Sequence, residues 1–426
     1  MNKEVYKQIR EDYFKKVEND SLTILFSGKA VQSSGDQSHG FSVNRNFYYL
    51  TGINQDNVIL ALLKAEKENK EYLFIQETTE LMAKWDGRKL SIEEAKEISG
   101  IDNVVYLDKF DNYLFGFFNS MRFSESQVKL VLLDLERRND PNYHSLALDF
   151  LADFSKKYPE IKIANTYNNI ISLRTVKKEA EIKKIQEAID VTKGGIEALM
   201  INARSGIYEY QLESFFDQYL RYNGQRRNSF KTIAGSGVNA TILHYSKNNT
   251  IIGEGELILF DLGAEVDYYI ADITRTFPIS GKFSKRQKEV YQAVLNVNKK
   301  CIEYLKPGIT WKELNLYANK LITEELKALG LIKEDHELVK YYWHSIGHSI
   351  GLDTHDPSLY NVPLQEGMVI TIEPGIYIED EKIGVRIEDN VLITKEGPVN
   401  LSKDIIKEVK DIEAFMKKNN KYQKAK

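Results

Sequence analysis

Short apolar runs alternate with helical periods through the first third of the chain. Residues 22–28 (LTILFSG), 58–65 (VILALLKA), 71–76 (EYLFIQ), 103–108 (NVVYLD) and 128–135 (VKLVLLDL) predict buried strands. The stretch 91–99 (SIEEAKEIS) predicts a helix opened by Ser91, with Glu94 placed to complete a capping box. Strands alternating with helices predict an α/β domain with a mixed sheet. Near residue 170 the texture changes. Residues 175–200 carry a helical apolar period through Ala180, Ile182, Ile185, Ile189 and Ile196, and a second helical stretch covers 208–222. Beyond residue 230 the chain becomes strand-rich and glycine-spaced. The expected class is α/β (α+β), with one domain over 1–169 and a second over 170–415.

The length supports that division, since 426 residues exceed what one hydrophobic core usually covers. Hydrophobic residues at 42% are enough to fill real cores. A net charge of −4 calls for neither nucleic acid nor an anionic membrane. Cys301 is the only cysteine, which excludes an intramolecular disulfide and a thiolate metal site and fits a reducing compartment. The first twenty residues are mixed in charge and lack the apolar core of a secretory signal. The longest apolar runs fall far short of a membrane span. A soluble, cytoplasmic protein is expected. Residues 416–426 read as a basic, solvated tail, and the aromatic stretch 111–123 as a core segment of the first domain.

The candidate chemistry lies in the second domain. In residues 256–283 two apolar stretches lead to Asp261 and Asp272, with Gly263 and the polar 265–267 segment between them. A hairpin turning between Val266 and Asp267 would set the two carboxylates opposite each other, about 5 Å apart at Cβ. Residues 368–394 repeat the construction. A turn between Asp380 and Glu381 would pair Glu373 with Glu388. Like charges facing each other in a sheet are unfavourable, and buried ones more so. Divalent cations would neutralise them. Four carboxylates balance two divalent ions and leave room for a bridging hydroxide. Hard oxygen donors with few imidazoles suit Mn²⁺ best, with Zn²⁺, Co²⁺ or Fe²⁺ as alternatives. Two such ions would make a hydrolase at neutral pH. Between the hairpins, 344–356 (HSIGHSIGLDTHD) holds three of the seven histidines.

The ordered set Asp261, Asp272, His348, Glu373 and Glu388 resembles the five metal ligands of the pita-bread metallopeptidases. The surrounding words ILHYSKNN (242–249), DITRTFP (272–278), TIEPGIYI (371–378) and GVRIEDN (384–390) are similar too. NRNFYYLTGIN (44–54), KWDGRK (84–89) and GLDTHD, with Asp353 and Asp356, resemble the aminopeptidase P branch. The resemblance covers nearly the whole chain. It implies a creatinase-like N-terminal domain before a pita-bread catalytic domain, and a homodimer or homotetramer. It implies that Asp261 binds one metal and His348 the other, with Asp272 and Glu388 bridging. Glu373 would be both ligand and proton shuttle. His244, His344 and His355 would surround the substrate carbonyl and the leaving proline. Arg386 would orient a carboxylate. Trp85 would reach a neighbouring subunit's site, and Asp36 would approach substrate. The implied activity is release of the N-terminal residue from peptides with proline second.

Two other readings remain open at this level. A prolidase would cut only Xaa-Pro dipeptides. A non-catalytic pita-bread binding module would have lost the ligands, and all five are present here.

Overall fold

A computed structural model describes residues 1–118, 128–140 and 143–422. The chain divides into two compact units, Met1–Arg174 and Thr175–Lys426.

The first unit is built on one six-stranded sheet. Its strands are β1 (Ser21–Phe26), β2 (Ile59–Lys64), β3 (Asn69–Ile75), β4 (Asn103–Tyr106), β5 (Leu130–Leu133) and β6 (Lys162–Asn165), in the order β4-β3-β2-β1-β5-β6. β1–β2 and β2–β3 are antiparallel, and β1–β5, β3–β4 and β5–β6 are parallel, so the sheet is mixed. One face packs an aromatic core around Phe74, Phe110, Phe117 and Phe154. Phe110–Phe118 is helical, which places the described part of the aromatic stretch in that core. Residues 119–123 of that stretch lie outside the described residues. Helix Ile92–Ser99 carries the capping box of Ser91 and Glu94.

The second unit opens with two helices, Glu179–Asn202 and Glu209–Tyr222. They approach closely at Gly195, where a Cβ would stand 2.4 Å from the Phe216 ring. Strands β7 (Ile233–Ser236), β8 (Leu257–Leu262) and β9 (Ile273–Pro278) form a sheet in the order β9-β8-β7. Two further helices follow, Lys285–Tyr304 and Trp311–Ala328, each opened by a Ser or Thr capping box. Cys301 is buried in the first of these, and burial pushes its thiol up to about 12. Strands β10 (Val369–Ile372), β11 (Gly375–Ile378), β12 (Ile383–Arg386), β13 (Asp389–Thr394) and β14 (Gly397–Asn400) complete the unit.

The first hairpin departs from the expected register. Asp261 pairs with Thr274, so Asp272 sits diagonally from Asp261 rather than opposite it. The turn lies one residue later than expected, at Asp267–Tyr268, and both residues have positive φ. Two left-handed residues make the tight turn that matches strand twist, and they pull the register by two. The second hairpin keeps the expected register: Ile372 pairs with Asp389 and Gly375 with Arg386. Glu373 and Glu388 fall in the break between these two ladders.

The segment expected as a frayed tail begins as structure. Helix Val409–Asn419 buries Met416, and the Asn420 side chain donates to the carbonyls of Met200 and Ala203, both at 2.9 Å. These two bonds to buried carbonyls hold the segment against the pull of the flanking lysines into solvent. Residues 423–426 of that tail lie outside the described residues.

Candidate metal centre

Glu388 is held where the two hairpins meet. Its backbone N–H leaves the second hairpin and donates to Thr274 O at 3.1 Å. Asn390 ties the same strands from its side chain. It accepts from Asp272 N at 3.2 Å and donates to Asp272 O at 2.7 Å. Buried Arg275 donates to Glu388 O at 2.6 Å and pairs with Asp389 at 2.8 Å. The backbone carrying the acids is therefore fixed by the Glu388 N–H and by the side chains of Asn390 and Arg275 together.

The histidine segment runs extended beside β10. Thr371 N donates to His348 O at 2.8 Å, and Glu373 N to Ile346 O at 2.8 Å. Gly347 makes this approach feasible, because a Cβ there would lie 2.0 Å from Thr371 O. Asn315 accepts from Ile346 N at 3.0 Å and holds the other edge.

These elements line one cleft of about 820 Å³. Its walls include Asp261, Asp272, His348, Glu373, Glu388, Arg386, His244, His344 and His355. Asp272, His348 and Glu388 offer one donor atom each within 4.8 Å of one another, the metal-competent group found among the described residues. Glu373 Oε1 lies 3.6 Å from His348 Nε2, and Asp272 Oδ2 3.4 Å from the same nitrogen. Asp261 is turned toward Arg386, whose Nη2 donates to Oδ2 at 2.6 Å. Arg386 also donates to Thr274 Oγ1 at 3.0 Å and to the Tyr377 hydroxyl at 3.2 Å. Thr274 in turn donates to Glu388 Oε2 at 2.8 Å. Trp85, at 81% exposure, lies in helix Glu80–Asp86 of the first unit. Asp36 is exposed in the turn of a short ribbon, Gln32–Ser34 with Gln37–Ser38. Neither is among the residues lining the cleft.

The donor set fits divalent metal. Asp261 Oδ1 and Glu388 Oε1 are buried and have no hydrogen-bond partner. A carboxylate oxygen left so is costly unless a cation completes it. His348 donates Nδ1–H to Ser349 O at 3.1 Å, which leaves the Nε2 lone pair toward the acids. Without a cation the acids repel. Burial, then Asp261 and Glu373, push the Asp272 carboxyl well above the usual range. Burial, then Asp272 and Glu373, do the same to Glu388, and burial raises Glu373.

The neighbouring histidines move the other way. Burial, then Arg386, hold His344 down at about 3. His344 donates Nδ1–H to Ser345 O at 2.8 Å, and its Nε2 accepts from the Tyr377 hydroxyl at 2.9 Å. His355 reaches solvent at the rim, yet desolvation, then His348, bring it down to about 4. Its ring packs 4.1 Å from that of His348.

These shifts give a testable pH dependence. An acid raised in the folded state contributes stability below its ordinary pKa and loses it as pH rises through the raised value. A histidine depressed in the folded state contributes fully above its ordinary value of 6.5 and loses stability as pH falls toward 4 and 3. The metal-free chain is therefore destabilised at both ends, and above the histidine range only the carboxylates act. Metal removes that carboxylate cost and displaces the protons. The gain in Tm on adding Mn²⁺ is expected to grow with pH above the histidines' ordinary value of 6.5. A gain that shrinks over that range, read by scanning calorimetry, would contradict the assignment.

The comparisons with known proteins give the family. The model for metallopeptidase family M24 matches residues 183–395, and that for the aminopeptidase P N-terminal domain matches residues 6–123. The chain is 32% identical to a Xaa-Pro aminopeptidase of Haemophilus influenzae, over 97% of both chains. A solved structure of a candidate aminopeptidase P from Bacillus anthracis is 47% identical, with a TM-score of 0.96, covering 99% of this chain and 100% of that one. Zinc-substituted Escherichia coli aminopeptidase P in complex with product is 27% identical, with a TM-score of 0.89 and 99% of both chains covered. The chain belongs to metallopeptidase family M24, with an aminopeptidase P N-terminal domain ahead of the pita-bread catalytic domain.

Proposed function

We propose that the chain is a Xaa-Pro aminopeptidase, releasing the first residue of peptides that carry proline second. One observation carries the reading. In a chain alike end to end with a curated Xaa-Pro aminopeptidase, buried acids and one imidazole converge with two carboxylate oxygens left unpartnered. Asp261, Asp272, His348, Glu373 and Glu388 would hold two divalent ions, with Asp272 and Glu388 shared. Four carboxylates and one imidazole favour Mn²⁺. When bound, such ions acidify water and polarise a carbonyl.

The chain's own groups do the rest. Breaking the Xaa–Pro bond would leave a negative charge on the prolyl nitrogen, so that atom must collect a proton as it departs. Glu373 suits this task. Its carboxyl is raised by burial, and its Oε1 lies near both His348 and Thr371 Oγ1. It takes a proton from the attacking water and returns it to the prolyl nitrogen. Arg386 holds Asp261 and, through Tyr377, a neutral His344. His244 and His355 face the cleft and would meet the substrate's carbonyl and proline ring. Exposed Trp85 fits a role in a homodimer or homotetramer, with Asp36 near substrate. The lone, buried Cys301 fits a reducing compartment such as the cytoplasm.

Metal-reconstituted protein is expected to cleave Xaa-Pro-Yaa tripeptides and longer peptides at the Xaa-Pro bond. Activity confined to Xaa-Pro dipeptides would make it a prolidase instead. A folded, metal-saturated chain that cleaves neither would be a binding module.

A further inference from the structure

Two buried charges lie behind the His348–His355 pair, and no step above uses them. Lys177 Nζ stands 3.1 Å from Asp356 Oδ2, with both side chains 1% exposed. The same Nζ lies 3.4 Å from Ser349 Oγ. Asp356 Oδ1 accepts from Asp353 N at 3.2 Å, and the Asp356 N–H donates to Ser349 O at 2.9 Å. The loop closes around this carboxylate because position 351 has no side chain: a Cβ at Gly351 would stand 2.7 Å from it. Gly351 O accepts in turn from Ile270 N at 3.1 Å, next to the first acidic hairpin.

The network ends on the imidazoles. Ser349 O accepts both the Asp356 N–H and His348 Nδ1–H. A carbonyl only accepts, so His348 must carry its proton on Nδ1 while that carbonyl stays in place. His355 precedes Asp356 in the chain, and its ring lies over His348. Fixing Asp356 therefore fixes both rings.

We propose that the Lys177–Asp356 ion pair is a positioning device for the centre. It clamps the Ser349 carbonyl so that His348 presents the Nε2 lone pair, and it holds His355 over that ring. The proposal rests on the reading of the cleft as a metal centre. Burying an ion pair gives little net stability, and replacing both partners is often neutral, whereas removing one is strongly destabilising. That asymmetry separates a positioning role from a structural one.

The test uses the full chain as wild type, Asp356→Asn, Lys177→Met and the double variant. Three properties are read: Tm, the His348 tautomer in metal-free protein by ¹⁵N–¹H spectra of histidine-labelled samples, and Mn²⁺ affinity by calorimetry. Each single variant is expected to melt lower than wild type, and the double variant to recover most of that loss. In the double variant His348 should nevertheless show mixed tautomers, and Mn²⁺ affinity should fall about 10–100-fold, the usual range for lost support behind a ligand. Recovery of Tm, tautomer and affinity together would overturn the proposal. So would a wild-type tautomer and affinity in folded Asp356→Asn. Failure of wild type to bind Mn²⁺ would instead defeat the metal-centre reading, and the tautomer measurement would still decide the clamp.

Discussion

Replacing His348 with alanine is expected to abolish high-affinity metal binding and to lower kcat/KM at least about 10³-fold, about 4 kcal/mol of transition-state stabilisation. The reason is composition. Acids supply every other donor in the cluster, so the one imidazole has no substitute. Its Nε2 lies 3.4 Å from Asp272 and 3.6 Å from Glu373, so its loss removes the one nitrogen donor that faces the acids. His355→Ala serves as the contrast. That ring is at the rim with His348 beneath it, so metal binding should persist while turnover falls. Calorimetric metal titration beside steady-state kinetics separates the two. A His348→Ala protein that binds Mn²⁺ like wild type, or a His355→Ala protein that does not bind it, would reverse the assignment.

Glu373→Gln is expected to lower kcat by about 10³-fold, the middle of the range for general acid–base catalysis. The substitution keeps the shape and one oxygen but removes the site that accepts and returns the proton. Substrate binding should change much less, because glutamine fills the same space beside His348. A pH series sharpens the test. The pH profile of kcat should differ between wild type and variant, because the group that exchanges the proton is gone. A variant that keeps both kcat and the profile would move the proton transfer to another group.

Much of this site was legible because acids in strands obey a period of two. The second hairpin could be registered from Glu373, Glu388 and the turn sequence alone, and Ile372–Asp389 and Gly375–Arg386 fall in that register. The first hairpin shifted by two because Asp267 and Tyr268 both take left-handed φ. Tyrosine carries no sequence signal for that conformation, so the turn was placed among the more polar residues before it. Asp261 was read as facing Asp272, whereas its Oδ2 is held by Arg386. Thr274 was missed, although it lies two residues beyond Asp272 on the same strand face and donates to Glu388. Period alone could have marked it as a candidate. Lys177 had no such signal, because its partners Ser349 and Asp356 lie 172 and 179 residues further along the chain. The tail was misjudged for a related reason. Its lysines are visible in sequence, but the partners of Asn420 lie more than two hundred residues upstream.

Four carboxylates and His348 are proposed to hold two divalent ions on which the hydrolysis depends. Titrating metal-free protein with Mn²⁺, while following bound metal and Xaa-Pro-Yaa cleavage in the same samples, tests this most directly. Two equivalents bound per chain, with cleavage rising as they fill, is the expected result. A folded chain that binds no Mn²⁺, or cleaves equally well without it, would contradict the claim.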